Sequence, residues 1–146
     1  MAITIRKSAL LYYSAQQMYE LVNDVAAYPE FIEDCVASSV IEQSADHMVA
    51  SLSLKKAGVA LDFTTRNTLQ PPDAISLQLE EGPFSAFAGQ WQFIALGESA
   101  CKVSLYLEFA LSGAVRASLA ARLLESVGNS LVDAFSQRAR HCYGEA

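Results

Sequence analysis

Charge is scarce in this chain. Of its 146 residues only 18% are Asp, Glu, Lys or Arg, against about a quarter in an average soluble domain. Together with a hydrophobic share of 52%, this excludes a disordered chain, a fibrous repeat or a highly charged nucleic-acid tail. Positive charge is scarcer still: 10 Lys and Arg face 16 Asp and Glu, a net charge of −6. No Lys or Arg occurs from Ser8 to Leu54, where Glu20, Asp24, Glu30, Glu33, Asp34, Glu42 and Asp46 all fall. A net acidic domain repels phosphate backbones at long range, so DNA is not an expected partner. The C-terminal segment reverses the balance with Arg116, Arg122, Arg138 and Arg140 against Glu125 and Asp133. That face is either simply solvated or open to an anionic partner.

Cysteine is equally sparse. Cys35, Cys101 and Cys142 are odd in number and widely spaced, with no CxxC, so neither a disulfide framework nor a metal site is expected. A cytoplasmic location is the natural expectation, with peripheral contact at an inner membrane as its limit. The apolar run after Arg6-Lys7 is too short for a signal sequence. The longest uncharged run, Gly82 to Gly97, contains Pro83, Gln90 and Gln92 and falls short of the ~20 residues a spanning helix needs. Glycine-rich phosphate loops are missing. Histidine is limited to His47 and His141, and no nucleophile–base pair or facing carboxylates can be assembled, so no catalytic residues and no enzymatic activity are expected.

What is present is pattern. The length fits one domain, residues 1–146. Thr4 to Tyr12 reads as a strand. Ser14 and Gln17 have capping-box spacing, and Met18, Leu21, Val22 and Val25 follow as one apolar helical stripe. The helix is predicted to end before Tyr28-Pro29, with a short further turn over Pro29 to Ile32. From Val36 the period becomes two. Leu61, Phe63, Thr65, Asn67 and Leu69 alternate with polar neighbours, as do Ile75, Leu77 and Leu79, then Trp91 and Phe93 between Gln90 and Gln92, then Cys101 to Phe109. Such one-sided alternation predicts an antiparallel sheet with one wet face. Ala57-Gly58, Pro71-Pro72-Asp73, Gly82-Pro83 and Gly97-Glu98 read as the turns. After Ser112-Gly113 the period returns to 3.6 and runs to about Cys142, a long amphipathic helix.

This order is strand, helix pair, six strands, long helix: an α+β fold in which a curved antiparallel sheet of about seven strands wraps around a C-terminal helix. A curled sheet under a long helix offers an internal cavity. Phe63, Trp91, Phe93 and Leu105 are predicted to face it from the strands, with Leu131 and Phe135 facing them from the helix. Ala120, Ala121, Gly128, Ala134 and Ala139 either bring that helix close or leave room for a guest. Arg138 falls in the apolar arc, where a guanidinium needs an acid such as Asp24, a ligand carbonyl, or access to water.

Several local motifs resemble a known family. Tyr19 to Val25 followed by Tyr28-Pro29-Glu30-Phe31, then Phe63-Thr64-Thr65-Arg66-Asn67, then Gly82-Pro83-Phe84 with Gly89-Gln90-Trp91-Gln92-Phe93, and finally Ala134 to Ala139 with Tyr143-Gly144, are together similar to the coenzyme Q-binding branch of the START-like superfamily of lipid-transfer and polyketide-cyclase proteins. The match runs from about Ile5 to Gly144. One departure is Ile32-Glu33-Asp34-Cys35, where relatives often carry a proline shortly before the cysteine.

The resemblance implies the helix-grip fold and a non-enzymatic protein that holds a hydrophobic small molecule, ubiquinone or a related lipid, in support of respiration. It requires no other cofactor. Phe31, Phe63, Asn67, Phe84, Trp91, Phe93, Leu105, Leu131 and Phe135 are the expected ligand contacts. The alternative that the resemblance offers is the RatA-type branch of ribosome association toxins, which bind the large ribosomal subunit and block subunit joining. A cyclase or aromatase enzyme is the lesser alternative.

Overall fold

The computed structural model describes residues 2–113 and 115–145, apart from the side chains at 115–117; Arg116 and Ala117 of the expected helix face lie outside the described side chains. The chain runs β1 (Ile3–Leu11), α1 (Ala15–Asn23), a 3₁₀ segment (Val25–Glu30), β2 (Cys35–Gln43), β3 (His47–Lys56), β4 (Val59–Gln70), β5 (Ala74–Glu81), β6 (Phe84–Gly97), β7 (Ala100–Leu111) and α2 (Val115–Tyr143). This is the expected helix-grip arrangement. No helix among the described residues is long and apolar enough to cross a membrane.

Local chemistry accounts for the boundaries. The α1 N-terminus is closed by a full capping box: the Gln17 amide donates to Ser14 Oγ at 3.0 Å and the Ser14 amide to Gln17 Oε1 at 2.9 Å. Pro29 does not end the helical run. It sits inside the 3₁₀ segment that continues α1's direction change. Ala57 and Gly58 both take positive φ, 51° and 81°, the two-residue turn whose twist matches its flanking strands. Asp34 also takes positive φ, 70°. Its carbonyl accepts the Lys55 amide at 2.9 Å and its carboxylate lies 3.8 Å from Lys56 Nζ. The acid that departs from the family pattern thus fastens the entry of β2 to β3.

The strands form one seven-stranded antiparallel sheet in the order β1-β7-β6-β5-β4-β3-β2. The first two strands in sequence stand at opposite edges, so α1 and the 3₁₀ segment must cross the full width of the sheet. Register shifts interrupt the ladder at Cys35/Ala37, Val40/Glu42, Thr64/Thr65, Phe84/Ala86 and Ala95/Gly97. Each bulge bends its strand and increases the local twist, which curls the sheet. α2 lies in the concave side against β1, β7, β4, β3 and α1. On the convex side Val49 is buried, at 4% exposure. Glu42, Val49 and Arg66 follow one another across β2, β3 and β4, and the Arg66–Glu42 pair at 3.7 Å closes over the valine.

Candidate ligand cavity

At Gly128 the backbone of α2 lies close against side chains of β1 and β7. A Cβ on Gly128 would lie 2.6 Å from Ile5 Cδ1 and 3.5 Å from Leu107 Cδ2, so any larger residue there must displace the Ile5 side chain on β1. Ala120 and Ala139 on the same helix are also buried. At these positions the small residues of α2 bring the helix close.

Beside that contact a cavity of about 90 Å³ remains between α2, the end of α1 and the strands. Trp91 forms its floor, 4% exposed, with its ring edge-on to Phe135 at 5.4 Å. Phe63, Leu105, Leu131 and Asn67 complete the expected part of the wall. Burial of such side chains stabilises the fold at about 25 cal/mol per Å². The polar groups are few. Thr65 Oγ1 donates to Asn67 Oδ1 at 2.8 Å. Asn23 also lines the space, and its Oδ1 is buried without a hydrogen-bond partner.

Two titratable side chains border the cavity, Tyr28 and Cys35. The Tyr28 hydroxyl donates to the Val22 carbonyl. Burial raises its pKa above the ordinary tyrosine value, and the neighbouring Cys35 and Asp24 push the same way. Burial likewise raises the Cys35 thiol, against a smaller opposing effect of its contact with the Ala37 carbonyl. Both groups stay neutral near pH 7, so neither is an activated nucleophile or base. Ser38, read as inward-facing, donates to the Val25 carbonyl at 2.8 Å and is satisfied there.

Three expected contacts are not in the cavity wall. Phe93 is 2% exposed and lies behind Trp91, nearly parallel to it at 6.3 Å, with Tyr19 edge-on at 5.6 Å. It supports the floor. Phe84 packs with Phe87 at 5.1 Å, Phe63 at 5.6 Å and Phe109 at 6.3 Å. The bulge after Phe84 changes the alternation, and Phe87, two residue pairs before Trp91 on the same face, takes the lining position. Phe31 packs outside Phe135 at 5.3 Å. Arg138 covers it, with its guanidinium 4.8 Å above the Phe31 ring and 3.2 Å from Glu30 Oε1. The partner of the arginine in the apolar arc is therefore Glu30, rather than Asp24 or a guest. Asn23, Cys35 and Phe87 were not anticipated. Of these only Phe87 had a legible signal, its period-two distance from Trp91.

As it stands the cavity is smaller than the ~150 Å³ apolar void that admits benzene, and far below the ~300 Å³ at which ordinary ligand pockets begin.

The chain matches the family described as polyketide cyclase / dehydrase and lipid transport over residues 11–136. It is 46% identical over 144 residues to the ribosome association toxin RatA of Pseudomonas aeruginosa, covering 99% of this chain and 100% of that one. It is 45% identical over 141 residues to the protein of the same name from Vibrio cholerae, covering 97% and 98%. The mitochondrial coenzyme Q-binding protein of Drosophila melanogaster is a more distant relative, 23% identical over 142 residues, 94% of this chain and 59% of the other. Among solved structures, the Zhui aromatase/cyclase from Streptomyces sp. R1128 superimposes with a TM-score of 0.81 over the whole of both chains at 18% identity; that likeness concerns the fold alone. With the helix-grip fold and a family match spanning most of its length, this chain belongs to the polyketide cyclase / dehydrase and lipid transport family.

Proposed function

We propose that this chain is a ribosome association toxin: a non-enzymatic protein that binds the large ribosomal subunit and keeps the small subunit from joining it. The observation that carries this reading is the 45% and 46% identity, over nearly the full length of both chains, to two proteins of that name. The interior agrees with a protein that works through its surface. It is nearly filled, and the Tyr28 and Cys35 groups on its border are held neutral. The test is a sucrose-gradient profile of an extract to which the purified protein is added. Joined ribosomes should fall and free subunits rise in proportion to the dose; an unchanged profile at saturating protein overturns the reading.

The cavity supports a second, compatible reading, a small apolar ligand held between sheet and helix. An aromatic floor, an apolar wall and the Asn67 and Asn23 amides suit a flat molecule carrying one or two carbonyl groups, as a quinone ring does. Solvent extraction of the purified protein should yield such a molecule, and a short-chain quinone should quench Trp91 fluorescence. Failure of both removes this reading and leaves the first untouched.

A further inference from the structure

The sequence places Arg116, Arg122, Arg138 and Arg140 together on the C-terminal helix. The structure divides them. Arg138 is tied to Glu30, and Arg122 and Arg140 are exposed but about 27 Å apart along the helix axis. A different concentration of positive charge forms on the convex face of the sheet. There Arg6 and Lys102 line a groove of about 260 Å³ together with Ser8, Ser104 and Tyr106, and Lys7, which stands opposite the inward-facing Leu105, borders it only from the edge strand. Gln90 and Gln92 on β6 close its far side. No acidic residue lines it. Among the described residues none of the three cations forms an ion pair. In the adjoining row Glu108 accepts a hydrogen bond from Thr4.

Antiparallel register builds the groove. Arg6 stands opposite Tyr106 and Ser8 opposite Ser104; Tyr106 stands opposite Gln90 and Ser104 opposite Gln92. Cross-strand neighbours on one face are about 5 Å apart, so these groups share a single concave strip. The Arg6 guanidinium lies 4.6 Å over the Tyr106 ring, which holds it on the face instead of leaving it free in solvent. The strip thus combines unpaired cations with hydroxyl and amide groups, in a chain whose net charge is −6.

We propose that this groove receives the phosphate–sugar backbone of ribosomal RNA. The inference rests on the ribosome-association reading above and names the surface through which it acts. Cations supply affinity to phosphates, while serine, glutamine and tyrosine groups reach phosphate oxygens and the 2′-hydroxyl. The concavity favours RNA over a membrane, because a protruding backbone enters a groove and a flat bilayer does not. Leu10 and Ile94 flank Lys102 on the same face, with 70% and 48% exposure, and give an unstacked base or sugar an apolar shelf at one end.

The test compares two charge-reversed pairs, Arg6→Glu with Lys102→Glu, and Arg122→Glu with Arg140→Glu, for binding to purified large subunits over a salt series. Both pairs change the net charge equally. The groove pair should weaken binding at least about tenfold at 0.1 M salt and lower the slope of log K against log salt by about 1.5, as loss of two phosphate contacts requires. The helix pair should bind within about threefold of the parent. The groove is overturned if its pair binds like the parent, if both pairs weaken equally, or if the parent pellets with phosphatidylglycerol vesicles and the groove pair abolishes that while leaving subunit binding intact. Failure of the parent chain to bind subunits at all refutes the ribosome reading and the groove with it, whereas retained binding by the groove pair refutes the groove alone. Should the reversed pair melt at a lower temperature than the parent, Arg6→Gln with Lys102→Gln carries the same comparison, with a slope change still above about 1.

Discussion

The concave and convex faces of this sheet are built from the same strands and have opposite characters. On β6, Trp91 points into the cavity while Gln90 and Gln92, its neighbours in the chain, border the cationic groove. On β7, Leu105 and Leu107 face α2 while Ser104 and Tyr106 face solvent. A residue step of one moves a side chain from a nearly closed aromatic interior to an open polar strip. The difference separates two jobs. The interior carries stability, because its groups have no water to fall back on. The outer strip is free to carry binding, because its groups cost the fold little.

Substitutions test this division directly. Phe135→Ala should have the largest effect. The ring is 1% exposed and touches Tyr28, Phe31 and Trp91, so urea denaturation should show a loss of about 3–5 kcal/mol. Gly128→Ala comes next. The methyl would meet Ile5 Cδ1 at 2.6 Å, and the overpacking cost of about 1–3 kcal/mol is partly offset by the ~1 kcal/mol gain in helix propensity. Combining it with Ile5→Val should recover part of the loss, and a strictly additive double variant would show that the two residues do not press on each other.

A smaller effect should appear on the alkaline side. Burial raises the Cys35 and Cys101 thiols, so the unfolded chain releases those protons at lower pH than the folded one. The stability they contribute is complete below the ordinary thiol value, about 8.5, and declines as pH rises above it. Urea midpoints measured from pH 7 to 10 should fall above about 8.5, and Cys35→Ala with Cys101→Ala should flatten that decline even though it lowers the curve as a whole. The smallest effect belongs to the convex face. Gln92→Glu, which introduces an acid at the groove, should leave the unfolding free energy from urea denaturation within about 0.5 kcal/mol of the parent. A large loss there would erase the distinction between the faces.

The same alternation made most of the fold legible from the residues. Period two gave the strands, the Ser14–Gln17 spacing gave the capped helix, and the long 3.6 period gave α2. The expected helix stop at Tyr28-Pro29 differs from the structure, where α1 ends at Asn23 and Pro29 lies inside the 3₁₀ segment Val25–Glu30. The site was legible where alternation alone decides which way a side chain points, as at Phe63, Asn67 and Trp91. It was not legible at Phe84, where a bulge resets the face, nor at Phe93, where direction was right but a second layer stands in front. Pairings between distant segments left no local trace. Glu30 and Arg138 meet across most of the chain, and the groove joins Arg6 to Lys102 only through the register of β1 on β7.

That register also sets an order of events during synthesis. Ile3 pairs with Phe109, and Ile5 with Leu107, so β1 is made first and finds its strand partner nearly last. At roughly 5–20 residues per second, the N-terminal strand waits on the order of 5–20 s for β7, and the Gly128 contact that covers Ile5 comes later still. The meander from β2 to β7 can zip up by short loops, but its apolar face stays uncovered until α2 emerges. Completion of this molecule is therefore a late, long-range event, and chaperones that shield nascent apolar surface would find their window between the appearance of β6 and the docking of α2.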